Sequence, residues 1–596
     1  MPTVWICCTL LLAADLSPLL AAEARPTNEG AARPNVIVVL TDDAGWGDLS
    51  LHGNPNLSTP NLDQMAAEGA QMKHFYVCAV CSPTRAELLT GRYHARMGVY
   101  STSAGGERFD LGEETIAERF RDAGYQTAAY GKWHSGMQWP YHPNARGFDD
   151  FYGFCSGHWG NYFDPMLEHN GRIVSGKGFL VDDLTDHAID FMDRCQNAPF
   201  FIYLAINTPH SPMQVPDTYW DQFAEKKIAP DPQPANARKE NVQHTRAALA
   251  MMSNIDDNMG RLLSHLKSRG IDQNTIVVFF NDNGPNGSRF NGGLRGRKGS
   301  THEGGLRSPC LIRYPDRIKP GAVVTEVSGA VDLLPTLTEL SGITEEPKNK
   351  LDGISHAGML TGSAPDTLAN ERLLFSSWKG RQTVRTQRYR MHSNGLLFDI
   401  EKDPGEQVDL SGRRPDIASH LGKQLTAWTE SLPEPDPERP FPIGHPDAKW
   451  TQLPARDATT TGGLERSNRF PNCSYFLNWI DTESEIRWEV EALAEGTYEV
   501  QMYYACAADQ VGSTVQLSTG DQSVTAVIEK AAGGPFLGKP NDRVPRMEGD
   551  VRRWGSMKLG RLSISPGRQT LVLSADEIAN EQVAEMRLLM LERVSP

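Results

Sequence analysis

The stretch Asn35-Val36-Ile37-Val38-Val39-Leu40-Thr41-Asp42-Asp43 runs from five consecutive apolar residues straight into two carboxylates. No polar residue alternates with the apolar ones, so a strand here buries both of its faces, as in a parallel sheet covered by helices. Two other stretches repeat the pattern. Thr275-Ile276-Val277-Val278-Phe279-Phe280 leads into Asn281-Asp282-Asn283-Gly284, and Phe200-Phe201-Ile202-Tyr203-Leu204-Ala205-Ile206 leads into Asn207 and Pro209-His210. Residues 61–69, 113–123 and 247–266 carry apolar residues at three-to-four spacing and predict helices. Strands alternating with helices imply an α/β sandwich. Such sheets bind ligands at the carboxyl ends of their strands, where these Asp, Asn and His residues fall.

Farther along, residues 431–446 hold six prolines among charged residues, and the stretch 432–450 reads as a linker. Beyond it the pattern shortens. Ile486-Arg487-Trp488-Glu489-Val490, Tyr498-Glu499-Val500-Gln501-Met502, Leu562-Ser563-Ile564 and Leu571-Val572-Leu573 predict a separate β-sandwich over residues 451–596. Trp488, Tyr503 and Tyr504 suit either its core or a stacking platform for a sugar.

The 596 residues allow one large core with smaller domains attached. With 59 basic and 74 acidic residues the net charge is −15, which argues against nucleic acid as a partner but leaves room for a small anion held by a local cationic cluster. Mean hydropathy is −0.44, ordinary for a globular chain. Residues 1–24 read as an export signal, with an apolar run over 4–14 too short to span a bilayer and Ala22-Glu23-Ala24 before the cleavage point. That predicts a periplasmic or extracellular protein. No later segment is apolar enough for a membrane span. Seven cysteines remain after the signal, too few for a disulfide scaffold. Cys78-x-x-Cys81 fits a redox pair or half a zinc site, but no second such pair supplies the missing ligands.

Cys81-Ser82-Pro83-Thr84-Arg85 precedes Leu89-Thr90-Gly91-Arg92. Pro83 suits a first helical position, which places Cys81 just before a helix N-terminus, where free N–H groups and Arg85 favour an anion. Taken alone, the segment equally fits an ordinary capped helix with a buried cysteine. Asp42, Asp43, Asp282 and Asn283 make a hard oxygen set suited to Ca²⁺ or Mg²⁺ more than zinc, although Asp and Asn also open ordinary turns. Gly131-Lys132-Trp133-His134 follows a strand-like segment at 125–130. Pro209-His210-Ser211-Pro212 follows the third strand, and Lys298 lies ahead of Glu303-Gly304-Gly305-Leu306-Arg307.

Taken together and in this order, these motifs resemble those of the type I, formylglycine-dependent, arylsulfatase-like sulfatases. In that family Cys-x-Pro-x-Arg directs conversion of the cysteine to formylglycine. The resemblance runs from about residue 35 to residue 410, ending in Leu397-Phe398-Asp399-Ile400 and Asp403-Pro404-Gly405-Glu406. It departs at Asn281, where Ser is usual, at Phe398 for Tyr, and at Asp409 for Asn. The resemblance implies an alkaline-phosphatase-like α/β fold with a mostly parallel central sheet. A catalytic domain over 33–352 and a small α+β C-terminal subdomain over 353–431 would precede the extra β-sandwich.

The resemblance also implies a site. Cys81, Arg85, Lys132, His134, His210 and Lys298 would be catalytic, and Asp42, Asp43, Asp282 and Asn283 would bind Ca²⁺. His134 would act as base on residue 81, His210 and Lys298 would serve the leaving oxygen, and Arg85 and Lys132 would hold residue 81 and stabilise anionic oxygens. The partners implied are a sulfate-ester substrate and a formylglycine-generating maturation enzyme. An exported enzyme with a glycan-binding sandwich would suit a sulfated carbohydrate, with residues 158–163 and the region near Arg289 on the substrate side. The sandwich equally suits simple packing on the core. Two rivals share the fold: a phosphoester hydrolase, which would carry a Ser or Thr nucleophile and a two-metal cluster, and a non-catalytic binder of sulfated glycans, which would have lost site residues.

Overall fold

A computed structural model describes residue 1, residues 33–364 and residues 372–595, so the segment read as an export signal lies outside the described residues apart from Met1. Asn35–Thr41 forms β1 at the middle of an eleven-stranded sheet. The others are β2 (Ala70–Tyr76), β3 (Gln126–Lys132), β4 (Asp150–Phe154), β5 (Met166–His169), β6 (Arg172–Ser175), β7 (Phe200–Ala205), β8 (Thr275–Asn281), β9 (Arg307–Ser308), β10 (Cys310–Arg313) and β11 (Ala322–Gly329). β1 lies between β7 and β8 and is parallel to both, and β7 is parallel to β3. Antiparallel pairing lies on the flanks, at β10, at the short β9 against β2, and at the β4–β5–β6 meander.

The unbroken apolar run in β1 has a direct cause. Val36, Val38 and Leu40 enter one core, which includes Ala86, Leu88 and Leu89 from helix α2 (Cys81–Thr90). Ile37 and Val39 enter the other, with Leu62 and Met65 from helix α1 (Pro60–Glu68) and residues of the 27-residue helix Val242–Ser268. A strand clamped between two helical layers has no solvent face to mark with polar residues. The predicted helix at 113–123 begins later, at Ile116, because Thr115 caps it: its hydroxyl accepts from the Glu118 N–H while the Glu118 carboxylate accepts from the Thr115 N–H.

A four-stranded antiparallel sheet spans Leu374–Trp378 to Leu397–Asp399, and helix Pro415–Glu430 packs on it. Glu303 ties it to the large sheet, accepting from Tyr76 at 2.7 Å and from Arg385 and Arg390 at 3.0 Å each. Ala357 and Leu360 instead join the core of the large sheet.

Two six-stranded sheets form the C-terminal sandwich. Its strands alternate as expected for one wet face: along Ile486–Ala492 every second residue is buried. The proline-rich stretch read as a linker differs from that expectation. Its residues Phe441–Ile443 add a strand at the edge of one sandwich sheet, where Pro442 breaks no interior ladder, and Arg108 donates to the Pro440 carbonyl at 2.7 Å. Trp488 and Tyr504 belong to the sandwich core, while Tyr503 is half-buried. All seven described cysteines are buried and unpaired. No helix among the described residues is long and apolar enough to cross a membrane.

Candidate active site

The carboxyl ends of β1, β3, β7 and β8 converge at one place, and the loops leaving them carry the predicted side chains. Asp42 and Asp43 follow β1, and Asp282 and Asn283 follow β8. The two strand ends are stitched together, with the Asp282 N–H donating to the Thr41 carbonyl at 3.0 Å and the Asp43 N–H to Asp282 Oδ1 at 3.1 Å. Asn281 is fixed in place by structural bonds alone: it accepts from the Thr41 hydroxyl at 2.6 Å and donates to the Gly45 carbonyl at 2.9 Å.

Residue 81 differs slightly from its predicted place. Cys81 is the first residue of α2 and Pro83 the third, with Val80 as the N-cap. Proline is tolerated there because first-turn N–H groups have no partner within the helix. The thiol is buried, and that burial raises its pKa. The same turn carries Arg85 inward, fully buried, where it donates to Asp282 Oδ2 at 2.9 Å, to the Lys132 carbonyl at 2.8 Å and to the Tyr203 hydroxyl at 3.3 Å. Thr84 donates to the Asp282 carbonyl at 2.6 Å. One helical turn therefore places Cys81 and ties it to the acidic strand end.

Lys132, the last residue of β3, donates to Asp42 Oδ2 at 2.7 Å with both side chains buried. Lys298 reaches Asp43 Oδ1 at 2.5 Å, and His210 Nε2 stands 3.6 Å from Asp43 Oδ2. His134 follows Lys132 and Trp133, with its Nε2 at 2.8 Å from the Thr102 carbonyl. Asp43 and His134 both hold left-handed backbone angles, φ 68° and 61°, that non-glycine residues seldom adopt and that cluster at functional sites.

Burial dominates the electrostatics. It pushes the Asp282 carboxyl up to about 7, reinforced by the charge of Asp42 and opposed by Arg85 and Lys132. Burial also brings His210 down to about 4 against the pull of Asp43, and lowers His134 well below its ordinary value. For Asp43 the outcome is opposite: burial would raise its pKa, but the charges of Lys298 and His210 outweigh it and hold the carboxylate ionised.

Several buried polar atoms here have no hydrogen-bond partner: Asp42 Oδ1, Asp43 Oδ2 and Asn283 Oδ1. Orphaned buried oxygens are rare and costly. Three of them on adjacent strand ends, beside the Asp282 carboxylate, match the donor set of a hard divalent cation.

All ten predicted residues thus lie in this one region. His158 was singled out only as a substrate-side residue; it is buried, with Nε2 unpartnered and its ring stacked on His210 at 5.9 Å. Asn207 has both side-chain polar atoms unpartnered, and its place directly after β7 was the available signal. Arg289 is not on an open surface: it is locked onto Asp48 at 2.6 Å and donates to the Asp43 carbonyl at 2.9 Å.

The sulfatase family profile matches residues 34–343, and the profile of the N-sulphoglucosamine sulphohydrolase C-terminal region matches residues 297–431. N-acetylgalactosamine-6-sulfatase of Mus musculus is 32% identical over 472 residues, covering 67% of this chain and 85% of that protein. Arylsulfatase A of Homo sapiens is 31% identical over 469 residues, covering 66% and 87%. Among solved structures, Ps i-CgsB in complex with k-i-k-neocarrahexaose superposes with a TM-score of 0.62 at 28% identity, over 68% of this chain and 94% of that one. The phosphonate monoester hydrolase of Agrobacterium radiobacter, at 20% identity and a TM-score of 0.53 over 67% of this chain and 96% of that one, shares the fold alone. Fold by itself does not choose between sulfur and phosphorus esters. The family match does: this chain belongs to the sulfatase family and is a sulfuric ester hydrolase.

Proposed function

We propose that the protein hydrolyses sulfate esters of carbohydrates with a formylglycine at position 81 and a calcium ion held by Asp42, Asp43, Asp282 and Asn283. The observation that carries this reading is the buried cluster itself. Cys81 opens a helix whose next turn binds Asp282 through Arg85, beside three unpartnered acidic and amide oxygens. A maturation enzyme would oxidise Cys81 to the aldehyde, which hydrates to a geminal diol. When bound, calcium supplies positive charge that offsets the sulfate oxygens and eases loss of a proton from the diol.

The remaining steps belong to this chain's side chains. One hydroxyl of residue 81 gives up its proton and attacks sulfur, the bond from sulfur to the alcohol oxygen breaks, and the sulfuryl group passes to residue 81. His210 and Lys298, both placed against Asp43, face the leaving oxygen and stabilise or protonate it. His134 takes the proton of the second hydroxyl. The carbonyl then re-forms and expels sulfate without water attacking sulfur. Burial favours the neutral imidazole this base role needs. Arg85 and Lys132 hold residue 81 and the anionic oxygens from a dry side of the site, where fixed charges act strongly.

Support for a carbohydrate substrate comes from relatives named for N-acetylgalactosamine 6-sulfate and from a similar structure solved with neocarrahexaose. Export through residues 1–24 to the periplasm or exterior fits such a polymer substrate. The test is sulfate release, measured by ion chromatography, from 4-nitrophenyl sulfate and from a panel of sulfated sugars. Calcium-dependent release from sugars, abolished by Cys81→Ala, is expected. Faster hydrolysis of 4-nitrophenyl phosphate than of any sulfate ester would favour the phosphoester rival instead.

A further inference from the structure

The family profiles end at residue 431, yet the wall beside His210 comes from the sandwich beyond it. Phe536–Leu537 pairs antiparallel with Val551–Arg552, and the intervening residues 538–550 reach across to the loops after β4 and β7. The contact is backbone-deep. Asp542 bridges to Gln214, the Arg543 N–H donates to the Met213 carbonyl at 2.9 Å, and Arg546 donates to the Gly160 carbonyl at 2.7 Å. A Cβ on Gly160 would stand 2.6 Å from a methyl carbon of Val551, so the Val551 side chain packs directly on the Gly160 backbone.

This strap carries a carboxylate to the rim of the site. Glu548 accepts a hydrogen bond from the hydroxyl of Ser211, the residue next to His210, and remains partly exposed. Its other oxygen faces the Met547 N–H at 3.3 Å. The catalytic side of this rim otherwise carries the cations Lys132 and Lys298, with His210 between them and the strap. A fixed negative charge beside the leaving-group histidine has a definite consequence. It accepts from a sugar hydroxyl and repels a sulfate or carboxylate in the same place, a repulsive element of the kind that sets specificity.

Resting on the sulfatase reading above, we infer that the C-terminal sandwich completes the substrate pocket and that Glu548 is a specificity-determining residue, admitting a hydroxyl beside the scissile sulfate and excluding a second anion. The test compares kcat/KM for 4-nitrophenyl sulfate with that for its 2-carboxy derivative, which places a carboxylate next to the ester. In Glu548→Gln the preference for the uncharged substrate should fall by about fivefold or more, an effect typical of removing one repulsive charge, and Glu548→Asp should restore it. Should the Gln variant fail to melt cooperatively, Glu548→Ser provides the second neutral variant. An unchanged preference in the neutral variants, or failure of both to turn over the carboxylated substrate, would overturn the inference. No sulfate release by the mature wild-type enzyme from 4-nitrophenyl sulfate or from any sugar of the panel would instead sink the sulfatase reading on which it rests.

Discussion

Arg85 shows how one residue joins fold to site. Its guanidinium lies wholly within the protein between Asp282, Tyr203 and the Lys132 carbonyl, so removing it strands a buried carboxylate. Arg85→Ala should cost about 3–5 kcal/mol in urea unfolding, the usual result of halving a buried pair, and a cost below about 1 kcal/mol would contradict the account. Glu87, two residues on, gives a pH prediction. Burial pushes its carboxyl from 4.5 up to about 8, although the His94 N–H donates to it at 3.2 Å. The unfolded chain ionises above 4.5 while the folded one stays neutral, so Glu87 favours folding fully below 4.5 and that contribution is lost as pH rises to about 8. The slope is about 1.4 kcal/mol per pH unit at most. Glu87→Gln, which cannot ionise, should therefore gain melting temperature relative to wild type at pH 8 compared with pH 5, and an equal difference at both would refute the sign. At this scale the sequence was legible wherever a motif marked the residue. Glu548 carried no mark, because its role comes from contacts across more than three hundred positions of chain.

Strands are the element whose reading transferred best. β1, β7 and β8 were plain in the sequence because burial on both faces leaves an unbroken apolar run. The meander β5–β6 at the sheet edge offers only short, half-exposed segments and had no comparable signal. Helix α2 was placed two residues late, since proline fits any position of a first turn and not only the first. β3 explains the glycine of Gly131-Lys132-Trp133-His134. Gly131 has φ 110°, and a Cβ there would lie 2.1 Å from the Ala205 carbonyl of β7. Gly131→Ala must push two central strands apart and is expected to destabilise by more than ~2 kcal/mol, displacing Lys132 and His134 with it. Native stability in thermal melts together with full activity would show that the strands accommodate the methyl group.

At the scale of the whole molecule, the sandwich was expected as a separate module with its packing and glycan-binding roles both open. Composition revealed its strands but not its attachment, because interface residues such as Arg456 are scattered singly through loops. Arg456 pairs with Glu107 at 2.6 Å, both sides buried, and its Nη1 bonds Ser156 and Asn472 next to the catalytic rim. Glu107→Ala removes one of the two buried carboxylates on that guanidinium, the other being Asp457 at 3.0 Å, and should lower stability by about 1.5–3 kcal/mol while exposing the junction to limited proteolysis. A wild-type melting curve and digestion pattern would mean that the sandwich is only loosely attached. The chain is a sulfatase; we propose that its pocket needs the strap at 538–550 as well as the central strands, and that its activity depends on one chemical change at the head of α2. The measurement that tests this most directly is peptide mass spectrometry across residue 81, on protein produced with its maturation enzyme and treated with an aldehyde-specific reagent. The account predicts a mass deficit matching replacement of the Cys81 thiol by an aldehyde oxygen, together with reagent labelling, in the fraction that releases sulfate. Sulfate release by protein whose Cys81 is entirely unmodified would contradict it.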